Sequence, residues 1–209
     1  MKTLVIDYGS GNIRSVAKAL ETTGFQVRVA ENPAGVASAD LLVLPGQGHF
    51  AQVATNFRAS GFEDAVREHI AADRPFLGIC VGLQLLFAGS EEAPGVPGLG
   101  LVPGVVRRFR ARKVPHMGWN ELEVEKGNFA EFTGRHFYFV HSYYAPVTPH
   151  SAGVSHYEGE LFTALYVHGN VVAPQFHPEK SSAAGLAFLR SLKHYFEGTS
   201  SSRSSGRKR

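Results

Sequence analysis

The 209 residues contain one cysteine, Cys80, and its setting is unusual for a core position. It stands in Phe76-Leu-Gly-Ile-Cys-Val-Gly-Leu-Gln-Leu-Leu-Phe87, with Gly78 two residues before it and Gly82 two residues after. The apolar run ahead of it predicts a strand over 76–79, and the one behind it predicts a helix starting over 83–87. Gly-x-Cys-x-Gly at such a junction is the thiol form of a nucleophile elbow. A sharp turn lifts the side chain, and the flanking glycines let strand and helix approach without Cβ clashes. A helix start also favours the thiolate through its dipole. The plain alternative is a packed core cysteine, and the motif alone leaves the two evenly matched.

A nucleophilic thiol needs a base, and the base needs an orienting partner. The segment Pro174-Gln-Phe-His-Pro-Glu-Lys180 offers both. His177 follows a strand that Pro178 stops, and Glu179 can hold one imidazole nitrogen while the other faces a thiol. Singly, these residues read as a turn histidine and a solvated acid. Paired with a separate elbow, they read as a Cys-His-Glu triad. A developing oxyanion needs donors, and Pro45-Gly-Gln-Gly48 ends another predicted strand. Gly46, Gln47 and Gly48 can therefore supply a backbone N–H, with that of Val81 as the second.

Other chemistries lack their parts. Among ten histidines none forms an HExxH pattern, and one cysteine excludes disulfides, four-cysteine zinc sites and iron–sulfur cages, so neither metal nor cofactor is expected. Gly9-Ser-Gly-Asn12 follows the first strand, but Arg14 stands where a dinucleotide fingerprint needs its third glycine. A tight turn with amides free to face a partner or an anion is the better reading.

The elements that must position these residues alternate. Strands are predicted over 4–8, 26–30, 41–44 and 76–79, with helices over 13–20 and 50–72, the second broken near Ser60-Gly61. Continuous apolar strands between helices imply a parallel sheet covered on both faces. The second half alternates in polarity over 105–109, 120–124, 136–140, 153–157, 162–166 and 171–173, which implies an antiparallel or mixed flank. A last helix is predicted over 182–196. Residues 1–197 thus form one α/β domain, and 198–209 a basic, Ser-rich tail expected to be disordered. The formal net charge of +3 owes much to that tail, and no nucleic-acid partner is inferred from it. The absence of a leader-like or membrane-length apolar run, with the lone cysteine, points to a cytoplasmic protein with no membrane partner.

With "PGQG", "GICVGLQLL" and "QFHPEKS" in hand, the sequence over residues 2–196 resembles the class I (triad) glutamine amidotransferases. The three segments match that family's oxyanion loop, nucleophile elbow and His-x-Glu segment in order and separation. The resemblance implies a flavodoxin-like three-layer sandwich and hydrolysis of the side-chain amide of L-glutamine. Cys80 would attack the amide, and His177, held by Glu179, would protonate the leaving ammonia and then activate water against a γ-glutamyl thioester. It also implies that Gln84 holds the amino-acid end of the substrate, with His141, Ser142 and Tyr143 as a further binding stretch. Within the family, "DYGSGNIRS" at 7–15 and "PHMGWNEL" at 115–122 resemble the glutaminase subunits of imidazole glycerol phosphate synthases, of histidine biosynthesis. That implies a heterodimer in which Gly9, Asn12, Met117, Trp119 and Asn120 face a (β/α)₈-barrel cyclase subunit. The cyclase would take ammonia unexposed to solvent and make imidazole glycerol phosphate and AICAR, and its nucleotide substrate would rouse an otherwise nearly idle glutaminase. Gln47 and His49 depart from the small apolar residue common in and beside this loop, which leaves the inward-pointing N–H undetermined. A glutaminase of pyridoxal phosphate synthesis, a redox or hydrolytic cysteine protein and a non-catalytic module are the rival readings.

Overall fold

The computed structural model describes residues 1–9, 12–125 and 127–206, with side chains as far as Thr199. Ser10 and Gly11 of the first glycine-rich turn, Lys126 and the tail residues 207–209 lie outside the described residues.

The first half alternates strand and helix as its apolar spacing requires. β1 (Lys2–Ile6) leads to α1 (Ile13–Thr22), which buries Ile13, Val16, Ala17, Ala19 and Leu20 on one face. The helix stops at Gly24, whose φ of 86° an L side chain rarely adopts. β2 (Gln26–Ala30) and β3 (Leu41–Leu44) follow, the latter buried at every residue. The long helical pattern after β3 is two helices, α2 (Phe50–Ala59) and α3 (Phe62–Ala71), broken at Gly61. β4 (Phe76–Gly78) then delivers the chain to Cys80.

Seven strands form the central sheet. β12 (Val171–Pro174) pairs parallel with β4, giving the parallel order β2-β1-β3-β4-β12. β11 (Glu160–His168) and β10 (Ser151–Tyr157) extend it antiparallel. The order reverses direction beside β1, so right-handed crossovers place α1 on one face and α2 with α3 on the other. The last helix, α5 (Ser182–Gly206), packs beside α1. This is the flavodoxin-like three-layer arrangement with an antiparallel flank. Smaller sheets sit beside it: β5 (Phe87–Ser90) with β6 (Val102–Arg108) and β9 (Tyr143–Tyr144), and the hairpin of β7 (His116–Leu122) with β8 (Arg135–His141).

Three expectations need correction. The apolar run after Cys80 makes only one helical turn, α4 (Val81–Gln84), before entering β5. The carbonyls of Leu85, Leu86 and Phe87 accept from Leu99, Gly100, Leu101 and Val102 N–H, so long-range pairing takes the acceptors a helix would need. β7 begins at His116 rather than Asn120: burial alternates along it, but the outward positions carry apolar Met117 and Trp119 while His116 is buried, so the polarity pattern hides the strand's start. Finally, α5 (Ser182–Gly206) runs past Phe196 into the tail read as disordered. Once a packed helix is nucleated, adding residues to its end costs little.

Candidate active site

Open α/β sheets present ligand sites beyond the carboxyl ends of their parallel strands. Here the ends of β3, β4 and β12 bring Pro45–Gly48, Cys80 and Gln175–Glu179 to one place. Cys80 has φ 55° and ψ −105°, a conformation costly for any residue with a Cβ. The elbow is held by Cys80 N–H to Pro174 O at 2.9 Å and by close packing of three glycines. A Cβ on Gly82 would lie 2.2 Å from Leu44 O, one on Gly78 2.8 Å from Gly82 O, and one on Gly46 2.5 Å from Gly82 N. Gly78 and Gly82 thus serve the close approach their spacing predicts, and Gly46 backs the elbow from the neighbouring loop. In the single-turn α4 the N–H groups of Gly82, Leu83 and Gln84 already donate to the Ile79 and Cys80 carbonyls, which leaves that of Val81 as the turn's candidate donor to a reacting oxygen.

His177 is buried, with its backbone fixed between strands. Its N–H donates to Tyr138 O at 2.9 Å, and Ser181 Oγ donates to its carbonyl at 2.7 Å. Pro178 opens a short 3₁₀ turn that curls Glu179 back, and His177 Nδ1 meets Glu179 Oε1 at 2.8 Å. Acceptance by the carboxylate assigns the proton to Nδ1 and leaves Nε2 for the reacting groups. Nε2 makes no hydrogen bond of proper geometry in this resting arrangement. Burial disfavours the imidazolium, but Cys80 as a thiolate and Glu179 outweigh it and hold the His177 pKa above the ordinary 6.5. Burial likewise opposes ionisation of Glu179, and bonds from His177 and Asn12 prevail, keeping its carboxyl below the usual range.

A cavity of about 250 Å³ is lined by Gln47, Gly48, Cys80, Val81, Gln84, Glu92, Pro115, Val140, His141, Ser142, Tyr143 and His177. All but Glu92, Pro115 and Val140 are site residues read from the sequence, and Gly46 stands directly behind the wall. Tyr8 Oη donates to Pro45 O at 2.6 Å and anchors the loop, while His49 turns back to accept from Ala51 N–H as the cap of α2. Gln84 Nε2 donates to Tyr143 O at 2.9 Å and to Gln175 Oε1 at 3.2 Å. What Gln84 can offer a ligand is its Oε1, an acceptor suited to an α-ammonium group.

The residues assigned to a partner face separate. Met117 and Trp119 are 62% and 51% exposed, and Gly9 is exposed. Asn12 is buried, and its Nδ2 donates to Glu179 Oε1 at 2.8 Å, which ties it to the His177–Glu179 pair. Asn120 is also turned inward, donating to His156 O at 2.8 Å with His116 Nε2 at 3.3 Å. Two site residues escaped the sequence reading. Glu92 brings a carboxylate to the cavity wall from a loop that nothing in the local pattern marks. Gln175 donates to Cys80 Sγ at 3.4 Å; it lay inside the quoted His-Pro-Glu segment, but only tertiary structure aims it at the sulfur.

The family model "Glutamine amidotransferase class-I" matches residues 4–191. The chain is 64% identical over 197 residues to imidazole glycerol phosphate synthase subunit HisH of Thermus thermophilus, covering 94% of this chain and 99% of that one. It is 45% identical over 199 residues to the chloroplastic imidazole glycerol phosphate synthase hisHF of Arabidopsis thaliana, covering 91% of this chain and 33% of that protein. Among solved structures, PurLQS from Thermotoga maritima superposes with a TM-score of 0.72 at 19% identity, over 93% of this chain and 98% of that chain, a likeness of fold alone.

Proposed function

The chain belongs to the class I glutamine amidotransferases, and from that premise we propose that its cavity hydrolyses L-glutamine through Cys80, His177 and Glu179. The work is that of the glutaminase subunit of imidazole glycerol phosphate synthase in histidine biosynthesis. One observation carries the site assignment. A thiol in a strained elbow and an imidazole oriented by a buried carboxylate line the same cavity.

The steps follow from these positions. Cys80 Sγ adds to the side-chain amide carbon, and the oxyanion is met by N–H groups of Val81 and of the 46–48 loop. His177 Nε2 gives a proton to the departing nitrogen, and ammonia leaves a γ-glutamyl thioester on Cys80. The imidazole, neutral again, takes a proton from water as it attacks the thioester, and glutamate leaves with the thiol restored. Glu179, shared by His177 and Asn12, keeps Nε2 pointed at the reacting atoms. Gln84 Oε1 and the Glu92 carboxylate serve the α-ammonium, with Ser142 and Tyr143 on the same wall.

Ammonia passes to a cyclase subunit, the partner that the fused hisHF protein carries in one chain with its glutaminase part. Met117 and Trp119, two residues apart on the same side of β7 and half or more exposed, form the face we assign to that subunit. The amidotransferase domain is residues 1–197 in this reading, and 198–209 is an appendage. No described helix is long and apolar enough to cross a membrane, and a cytoplasmic setting fits the unpaired thiol.

The test is glutamate release from glutamine by the chain alone and with a histidine-pathway cyclase plus its nucleotide substrate. Strong stimulation in the full mixture, absent in Cys80→Ala, is expected. Release indifferent to that partner would reassign the pathway, and no release in any mixture would return Cys80 to the core.

A further inference from the structure

We propose that Gln175 is a second-line member of the catalytic machinery, a fixed hydrogen-bond donor that holds the Cys80 sulfur as a thiolate; this rests on the reading of Cys80 as nucleophile. Gln175 is fully buried, one residue beyond β12 and two before His177, and its own N–H donates to Ala164 O at 2.9 Å. Its Nε2 lies 3.4 Å from Cys80 Sγ.

The two ends of an amide look alike in shape, and the hydrogen-bond network decides which faces the sulfur. Tyr143 O can only accept, so the Gln84 group 2.9 Å from it is the donor Nε2. That same Nε2 is 3.2 Å from Gln175, which must present Oε1 to it. The remaining end of Gln175, toward Cys80, is therefore the NH₂. Turning the amide over would set two donors against each other in a buried site.

The arrangement continues beyond Gln84. His141 Nδ1 also meets Tyr143 O, at 2.9 Å, so its Nδ1 carries the proton and its Nε2 accepts. His116 Nδ1 stands 3.1 Å from that Nε2 and is the donor there. Asn120 Nδ2 stands 3.3 Å from the remaining His116 nitrogen. Every role is thus fixed for two neutral histidines. Burial keeps them so, lowering His116 to about 4 and, with His116 beside it, His141 to about 3. The Tyr143 carbonyl accepts from both sides, and Gln84 and Gln175 cannot rotate without breaking the chain.

A donor aimed at sulfur stabilises the charged form over the neutral one and fixes the direction of attack. His177 supplies the proton traffic, while Gln175 has no proton to give up and stabilises the thiolate continuously. The two act on the same atom from different sides of one segment.

Cys80 is the only thiol in the chain, so alkylation by iodoacetamide reports on it without ambiguity. The experiment measures the pH midpoint of alkylation in the full-length chain for wild type, Gln175→Leu and Gln175→Glu. The expected result is a midpoint raised by about one to two pH units in Gln175→Leu, the equivalent of one hydrogen bond to a charged group. A further rise is expected in Gln175→Glu, where an acceptor replaces the donor. Glutamine turnover in the complex should fall roughly ten- to a hundred-fold in kcat. An unchanged midpoint in both variants, with the fold intact by thermal unfolding, overturns the proposal. Should Gln175→Leu fail to fold, Gln175→Glu decides by the same midpoint. Failure of the wild type to release glutamate would sink the function and leave the midpoint comparison standing.

Discussion

Adding one methyl group to Gly82 tests whether the elbow's geometry or merely its residues make the site. A Cβ there would sit 2.2 Å from Leu44 O, a backbone atom of the central strand that cannot swing aside. An ordinary carbon–oxygen contact is about 3.3 Å or more, so elbow and strand must separate by roughly 1 Å. Overpacking of this kind costs about 1–3 kcal/mol. For a chain of this length that lowers the unfolding midpoint by roughly 2–12 °C. The larger effect falls on catalysis. Leu44 leads directly into Pro45–Gly48, so the same displacement parts Cys80 from the loop assigned to its oxyanion, and a misplacement of about 1 Å can cost 100-fold in rate. Glutamate release by Gly82→Ala, measured with cyclase and its nucleotide substrate, should drop by about two orders of magnitude. Gly89→Ala is the control, because the added Cβ meets nothing closer than Val96 O at 3.5 Å. A Gly82→Ala protein with wild-type turnover and midpoint would refute the close-approach argument, since the elbow would then have slack the structure does not show.

Asn12→Ala removes one of two donors to Glu179 Oε1 while leaving the cavity wall unaltered. Steady-state kinetics should show kcat down roughly ten-fold with KM little changed, and a KM effect alone would place Asn12 in substrate binding instead. Trp119→Ala should weaken cyclase binding by about 30-fold or more in titration calorimetry while moving the isolated chain's stability by less than about 0.5 kcal/mol; undiminished affinity would clear β7 of an interface role. Acid should destabilise the fold early. His69 and His116 are lowered to about 4 and His141 to about 3, in each case chiefly by burial, so below pH 6.5 the unfolded chain binds protons that the native chain refuses. Stability then falls as pH drops from 6.5 towards 4, whereas the raised His177 acts in the opposite sense and only above 6.5. Urea unfolding at several pH values should show a decline of several kcal/mol over that window, and a flat profile would mean the three histidines are hydrated in the native state.

The first half of the fold is legible because each of its elements declares itself locally. Leu41–Leu44 is buried at every position and reads so, and Gly24 and Gly61 stop helices at positive φ. Cys80, His177 and Glu179 are legible for a related reason: glycines and prolines around them punctuate strand ends. What stays hidden depends on partners distant in sequence. The segment after Leu85 looks helical until the N–H groups of 99–102 claim its carbonyls. Asn12 lies in a motif that resembles an interface, yet it is paired with a carboxylate 167 positions away. Gln175 sits in plain view beside His177, and no one-dimensional pattern says that its amide points at a sulfur 95 positions back.

Incomplete bonding gathers where the chemistry is assigned. Buried side-chain polar atoms without a partner are three among the described residues, and His177 Nε2 and Glu179 Oε2 are two of them. Cys80 adds a positive φ that its side chain would not choose. Each feature costs stability in the resting chain, and the two unmet hydrogen bonds are what an incoming amide, water or proton would satisfy. The surroundings differ: Gln84, Gln175, His141 and His116 each have their orientation fixed by a neighbour. An accidental cluster of buried polar residues would spread its unmet bonds among all its members. Here an oriented, rigid part encloses the unsatisfied part, which is the division a preorganised site requires.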